Sequence, residues 1–211
     1  MGNRFAEIAF TPAVQDQQEM HGSRAAYARQ LGGEPWNDTL SARESEFVHQ
    51  RDGFYLASVS ETGWPYVQFR GGPAGFLRVL DEQTIGWADF RGNRQYVSVG
   101  NVGGDDRVAL ILMDYANRRR LKIVGHAELR EVGTDDGLAA QLAVPGYQAV
   151  VERAAIVHVA GFDWNCPQHI TPRFTLDEIE NAITPLRQRV AELEAKLASC
   201  EAQAPRETSR G

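Results

Sequence analysis

Cysteine is scarce in this chain, with two in 211 residues, Cys166 and Cys200. Two thiols in such different contexts do not suggest a disulfide framework, and a chain of this length can bury a sizeable core without one. Long apolar runs are missing as well. No window reaches the roughly 18 apolar residues of a membrane span, and the N-terminus lacks the basic-then-apolar order of a signal peptide. These absences predict a cytoplasmic protein with no membrane partner. Excess positive charge is also lacking, since the formal net charge is −6. A general nucleic-acid binder presents a basic surface, so nucleic acid is not an expected partner. An anionic small molecule remains compatible, because local basicity, as at Arg118, Arg119, Arg120 and Lys122, matters more than the total.

What is present divides the chain into unlike parts. Residues 1–50 read as a helical extension, with a polar, helix-friendly stretch from Ala13 to Leu31 and a Gly/Pro break from Gly32 to Pro35. Ser41 and Glu44 stand at capping-box spacing, which predicts a short helix leading into the first strand. From Phe54 onward come short β-rich runs, FYLASVS, YVQFR, FLRVL and TIGWA, separated by turn-forming ETGWP, GGPAG and DEQ. Arg107 to Tyr115 is nearly continuous apolar and predicts a buried strand. Arg120 to Val132 alternates, a helix is expected around Asp135 to Leu142, and Ala154 to Phe162 predicts one more strand. Six or seven antiparallel strands with few helices favour a small closed barrel, in a fold that is mainly β with flanking helices (α+β).

The C-terminal segment, 175–200, changes period. Thr175 and Glu178 repeat the capping-box spacing, and apolar residues follow at Leu176, Ile179, Ile183, Leu186, Val190, Leu193 and Leu197 in steps of three and four. Cys200 falls on the next position of that heptad seam. Pro185 predicts a break, with Thr184 capping a second helix. Residues 201–211 read as a frayed polar tail.

The richest stretch chemically is Trp87 to Asn101, WADFRGNRQYVSVGN. It reads as a strand, then a polar turn, then a short helix. Arg91, Gly92, Asn93 and Arg94 at a helix entrance offer backbone donors, a positive dipole end and guanidinium groups, which together suit a phosphate.

The order of meander, G-N-R turn, apolar strand and RRLKIVGHAEL resembles the pyridoxamine 5′-phosphate oxidase-like flavoproteins, whose split β-barrel binds FMN at a dimer interface. The resemblance runs over roughly residues 40 to 174, with the barrel domain at 51–174. GFDWNCPQHITPRF, Gly161 to Phe174, looks like a signature of one oxidase-related bacterial branch. The resemblance implies an FMN-dependent oxidoreductase working as a homodimer, with a small-molecule substrate or electron acceptor. It places the FMN phosphate on Arg91, Asn93 and Arg94, with Ser98 and Asn101 completing the cradle. Gln68 and Arg70 would line the isoalloxazine ring. Trp164, Gln168 and Arg173 would cover the cofactor or reach it from the partner subunit, and His169 is a substrate-binding candidate. The Ser, Arg and Lys clamp and the C-terminal Arg and His motif of true pyridoxamine phosphate oxidases are not found, so pyridoxamine phosphate is not the expected substrate.

Two other readings accompany this one. A flavin-binding protein without turnover would serve storage, sensing or electron relay, and a haem-binding split barrel would need a proximal histidine such as His126, His158 or His169. Cys166 and His169 supply only two local zinc ligands, so no metal is predicted. Trp64, Tyr66, Phe69 and Trp87 are expected in the core or in dimer contacts.

Overall fold

In the computed structural model the described residues are 2–32, 36–134, 137–164 and 167–203. Cys166, the start of the helix expected from Asp135, most of the Gly32 to Pro35 break and the tail beyond residue 203 lie outside them. The chain forms two compact units, Met1–Ile170 and Thr171–Gly211.

The first unit begins with helices α1 (Arg4–Ala9), α2 (Pro12–Met20), α3 (Arg24–Ala28) and α4 (Ala42–His49). Strands β1 (Gly53–Val59), β2 (Pro65–Gly71), β3 (Leu77–Asp81) and β4 (Thr84–Phe90) follow. After them come α5 (Val97–Gly104), β5 (Arg107–Asp114), β6 (Arg119–Glu131), α6 (Leu138–Leu142) and β7 (Val151–Trp164). The seven strands form one antiparallel sheet in the order β2-β1-β5-β6-β7-β4-β3.

Although three strands separate β1 from β4 in this order, Phe54 of β1 meets Trp87 of β4 with ring centroids 5.0 Å apart. The sheet has therefore rolled around its apolar face. Phe54, Leu77, Ile85, Leu110, Leu121, Ile123 and Val157 share that interior. The ladder ends at β2 and β3, which leaves the roll split between these two edges rather than closed.

Alternation decides what each strand contributes. In β5 the side chains of Val108, Leu110 and Leu112 are buried, whereas Ile111 on the opposite face is exposed, so the strand is buried on one face only. Of the four aromatics singled out in the sequence, Trp87 is core, but Trp64 and Phe69 are exposed on β2 or its turn and Tyr66 is half-buried. The last strand starts at Val151, before the expected Ala154, because the polar pair Glu152 and Arg153 is accommodated by ion pairs.

The N-terminal extension is fastened by amide side chains. Asn37 is almost fully buried, and its Oδ1 accepts from Arg4 N at 2.6 Å while its Nδ2 donates to Asn3 Oδ1 and to the Phe162 carbonyl. Asn3 in turn caps α1 by accepting from Ala6 N. Gly161 of β7 permits this docking, since a Cβ there would lie 2.9 Å from Phe5 N.

The capping box at Ser41 and Glu44 forms as predicted. Glu44 also acts beyond its own helix, because its Oε1 accepts from the Trp164 indole Nε1 at 2.7 Å and ties α4 to the end of β7. Burial acts to raise the Glu44 pKa, but hydrogen bonds from Ser41 and Trp164 outweigh it and hold the carboxyl below its ordinary 4.5. A depressed folded-state pKa gives stability that is present above the unfolded value and is lost as pH falls through the folded one. Between about pH 5 and 3 the parent is therefore expected to lose more melting temperature than Glu44→Gln. Parallel slopes in thermal scans would assign acid sensitivity elsewhere.

The second unit consists of a lead-in and α7 (Leu176–Gln203). Thr175 and Glu178 make the predicted reciprocal cap, with Thr175 N donating to Glu178 and Glu178 N to Thr175 Oγ1. The predicted break does not occur: Pro185 lies inside one continuous helix. Rather than capping a new helix, Thr184 donates its hydroxyl to the Glu180 carbonyl at 2.7 Å. A proline removes a single N–H from the ladder, and the rest of a 28-residue helix carries it past that defect. Among the described residues no helix is long and apolar enough to cross a membrane.

Candidate functional site

β4 ends at Phe90, and residues 91–96 turn the chain into α5. The turn is conformationally costly, because Arg94 (φ 62°) and Tyr96 (φ 55°) are both left-handed without being glycine. Tyr96 occupies the N-cap position of α5, and its side chain makes no capping hydrogen bond. The first-turn amides of α5 thus meet the turn without a side-chain acceptor from the cap, the arrangement that favours an anion.

Beside this turn a cavity of about 270 Å3 is lined by Gln68, Arg70 and Phe69 of β2, by Ala88, Asp89 and Phe90 of β4, by Arg91 and Gly92, and by Tyr147 and Ala149. A smaller adjoining recess adds Asn93, Arg94, Tyr96, Val99, Glu152 and Arg153. Gln68 and Arg70 point into it because even-numbered residues of β2 face α5 and β4; Val67 and Phe69 lie on the alternate, exposed face, and Phe69 borders the cavity from the edge strand. Ser98 donates to Gln68 at 2.9 Å, which fixes α5 against β2. Asn101 anchors the same helix from below, donating to Ser58 of β1.

A charge network that sequence reasoning missed lies beneath the turn. Arg70 pairs with Asp89 at 2.9 Å, and Asp89 also accepts from Arg153 Nη1 at 2.7 Å. Arg153 reaches Glu131 and Glu152 as well, and its guanidinium lies over the Tyr96 ring. Burial works against the charge of Arg153, yet its hydrogen bonds to Glu131 and Asp89 outweigh that and hold its pKa above the usual arginine value. Arg91 Nε donates to Glu152 Oε1 at 2.8 Å. That bond holds the Glu152 carboxyl below the usual range against the opposing effect of burial, with Tyr96 and Arg153 adding to it. Charged residues inside otherwise apolar strand runs, as in TIGWADF and VERAAIV, were the available signal for Asp89, Glu152 and Arg153.

The predicted residues are thus distributed unevenly. Gln68, Arg70, Arg91, Asn93 and Arg94 gather around the cavity and its recess, with Ser98 and Asn101 on the adjoining helix. Trp164 does not line it. Its indole donates to Glu44, its ring packs edge-on against Phe47 at 4.7 Å, and Arg43 and Arg119 stack over it. Gln168 and His169 are exposed in a turn beyond β7, with His169 left-handed at φ 62°. Arg173 belongs to the second unit. Among the described residues no group of three His, Cys, Asp or Glu side chains could hold a metal ion.

A family model described as pyridoxamine 5′-phosphate oxidase matches residues 40–158, more than half of the chain. The chain belongs to the pyridoxamine 5′-phosphate oxidase family. The match spans β1 to β6 and much of β7, and so includes the cavity, the turn and α5. Among curated proteins no sequence match was found. Solved structures similar to this family member include HupZ from Group A Streptococcus, at 16% identity and TM-score 0.49, covering 64% of this chain and 99% of that one. A putative pyridoxamine 5′-phosphate oxidase from Lactobacillus delbrueckii is 18% identical with TM-score 0.46, covering 60% and 94%. HutZ from Vibrio cholerae, described as a heme storage protein, is 14% identical with TM-score 0.40, covering 59% and 94%. Likeness at these levels decides neither ligand nor reaction within the pyridoxamine 5′-phosphate oxidase family.

Proposed function

We propose that this protein is an FMN-dependent oxidoreductase that acts as a homodimer on a small-molecule substrate or electron acceptor. The observation that carries the reading is the charge balance of the cavity. Its walls and recess hold four guanidinium groups, Arg70, Arg91, Arg94 and Arg153, against two carboxylates, Asp89 and Glu152. The excess of two positive charges matches a phosphate monoester, which carries about −1.5 to −2 near neutral pH. The donor set fits the group in a second respect: Arg70 Nε is buried with no hydrogen-bond partner among the described residues. A buried donor of that kind is costly until an acceptor reaches it.

In this reading Arg94 and Asn93 hold the phosphate at the entrance to α5, where the helix dipole adds to the attraction. Arg91 is the natural second clamp once Glu152 releases it. Arg70 is held beside the ring system by Asp89, and Gln68 is oriented by Ser98. Bound FMN supplies hydride or electron transfer, so the protein needs to provide position and electrostatics rather than a nucleophile or an acid–base pair.

The homodimer reading rests on the outer face of the sheet. Phe69, Tyr55 and Ile111 are cross-strand neighbours on β2, β1 and β5, and all three are exposed. Such a contiguous apolar row fits an interface between copies. Phe69 also lines the cavity, so a partner seated there would border the cofactor.

The first test is absorbance of the purified protein after incubation with FMN and removal of the excess. Retained bands at about 370 and 450 nm support the reading. Loss of all flavin on gel filtration would overturn it, as would an intense Soret band on haem addition without flavin retention. Replacing Arg94 by Ala is then expected to weaken FMN about ten- to a hundred-fold through loss of a charge-assisted contact, measured by fluorescence titration. Unchanged affinity would remove the turn from the site. Reoxidation of the photoreduced protein by oxygen, quinones or nitro compounds separates turnover from mere binding.

A further inference from the structure

The apolar seam of α7 is exposed at every apolar position except Ile183, which is half-buried. Leu186 is 66% exposed, Val190 54%, Leu193 49% and Leu197 60%, in an apolar row that continues through Ile179 and Leu176. We propose that α7 pairs in parallel and in register with the α7 of a second copy of this chain, as a two-stranded coiled coil that places the two Cys200 side chains face to face.

Three features of the helix select this occupant and orientation. Heptad position a holds Leu176, Ile183, Val190 and Leu197, and position d holds Ile179, Leu186, Leu193 and Cys200. In the two central heptads a β-branched residue at a accompanies Leu at d, the combination that favours two parallel strands. Flanking charge then sets direction. In a parallel pair each g position faces the following e position of the other helix, so Arg189 meets the partner's Glu194, while Ala182 leaves the partner's Arg187 unopposed. A fully overlapped antiparallel pair instead sets Arg187 against Arg187, Arg189 against Arg189 and Glu180 against Glu194, each a like-charge contact. Third, Pro185 sits at position c, on the side away from the seam, so the lost backbone bond leaves the pairing surface continuous. At 28 residues the helix is about 42 Å long, enough for the seam's three full heptads and the a and d positions of a fourth.

The test uses the full chain with Cys166→Ser, which leaves Cys200 as its single thiol. Diamide accepts the two electrons and two protons released when two thiols become a disulfide, and non-reducing electrophoresis reads the covalent dimer. In a parallel, in-register pair every d position faces its own copy. Cys200 is therefore expected to cross-link, and so is Ile179→Cys in a chain carrying Cys166→Ser and Cys200→Ser. In the antiparallel pair residue 200 faces residue 176 and residue 179 faces residue 197, so neither links to itself. Leu193→Asp is expected to slow the Cys200 reaction at least about ten-fold by placing charge in the seam. Failure of either position to cross-link overturns the proposal, as does a Cys200 rate that Leu193→Asp leaves unchanged, the mark of random collision. The pairing shares only the second copy with the flavin reading, and sedimentation keeps them apart: a dimer that fails to cross-link overturns the coiled coil while leaving the barrel-face dimer intact.

Discussion

Replacing Phe54 by Ala is expected to lower the melting temperature by about 8 to 16 °C, corresponding to about 4 kcal/mol. Phe54 is 1% exposed and stands where the rolled sheet meets itself. Its ring stacks on Phe76, just before β3, at 5.9 Å, and meets Trp87 of β4 edge-on at 5.0 Å. These contacts join the two ends of the strand order across the interior, where no ladder hydrogen bonds join β2 to β3. Truncation removes transfer free energy and leaves a void that the surrounding β-strands cannot collapse into without breaking register. Phe54→Leu, which keeps most of the volume, should recover more than half of the loss. Calorimetry checks both variants. A loss under about 1 kcal/mol for Phe54→Ala would mean that the roll is held from outside, by α4 or by a partner copy, rather than through its core.

The second large effect is expected from Arg153→Met, at about 3 kcal/mol and about 6 to 12 °C in melting temperature. Arg153 is 6% exposed and bridges Asp89, on the neighbouring strand β4, to Glu131 on β6. Removing one member of a buried pair leaves the other charge poorly solvated, and that penalty exceeds the net worth of the pair. Arg70 remains as a partner for Asp89, which places the expected loss at the lower end of the range for broken buried pairs. Asp89→Asn in the same chain is accordingly expected to restore part of the stability, a coupling that a double-mutant cycle reads directly. FMN retention should fall with Arg153→Met as well, because the cavity's positive excess drops from two to one. A melting temperature unaltered within about 2 °C, in both single and double variants, would reduce the network to the worth of an exposed ion pair.

Much of the architecture was legible in residue order because the signals that set it are local. Strands announced themselves between GGPAG-like separators, and two capping boxes marked the starts of α4 and α7. The strand, turn and helix of WADFRGNRQYVSVGN formed where they were expected. Pro185 shows the limit of a local rule. Its missing N–H predicts a break, but capping at Thr175 and continuous helical sequence on both sides outweigh one lost bond.

The candidate site was legible in part, as a grouping of residues. Arg91, Asn93 and Arg94 lie together in sequence, so their convergence needed no tertiary information, and the period of two on β2 brought Gln68 and Arg70 to the same face. Their counter-charges were not visible. Asp89 and Arg153 are 64 residues apart, Arg91 and Glu152 are 61 apart, and Trp164 and Glu44 are 120 apart. A charged residue in a strand run does not carry the identity of its partner.

The sequence by itself therefore determined most of the elements, the caps at Ser41 and Thr175, the polar turn before α5 and the heptad spacing, since each depends on residues within a few positions of one another. Only the tertiary structure decided that the turn's arginines share their cavity with Asp89 and Glu152, and that Trp164 is committed to α4. Antiparallel pairing of β4 with β7, and of β7 with β6, sets those registers. Register is a property of the whole rolled sheet, fixed by which faces can be buried together.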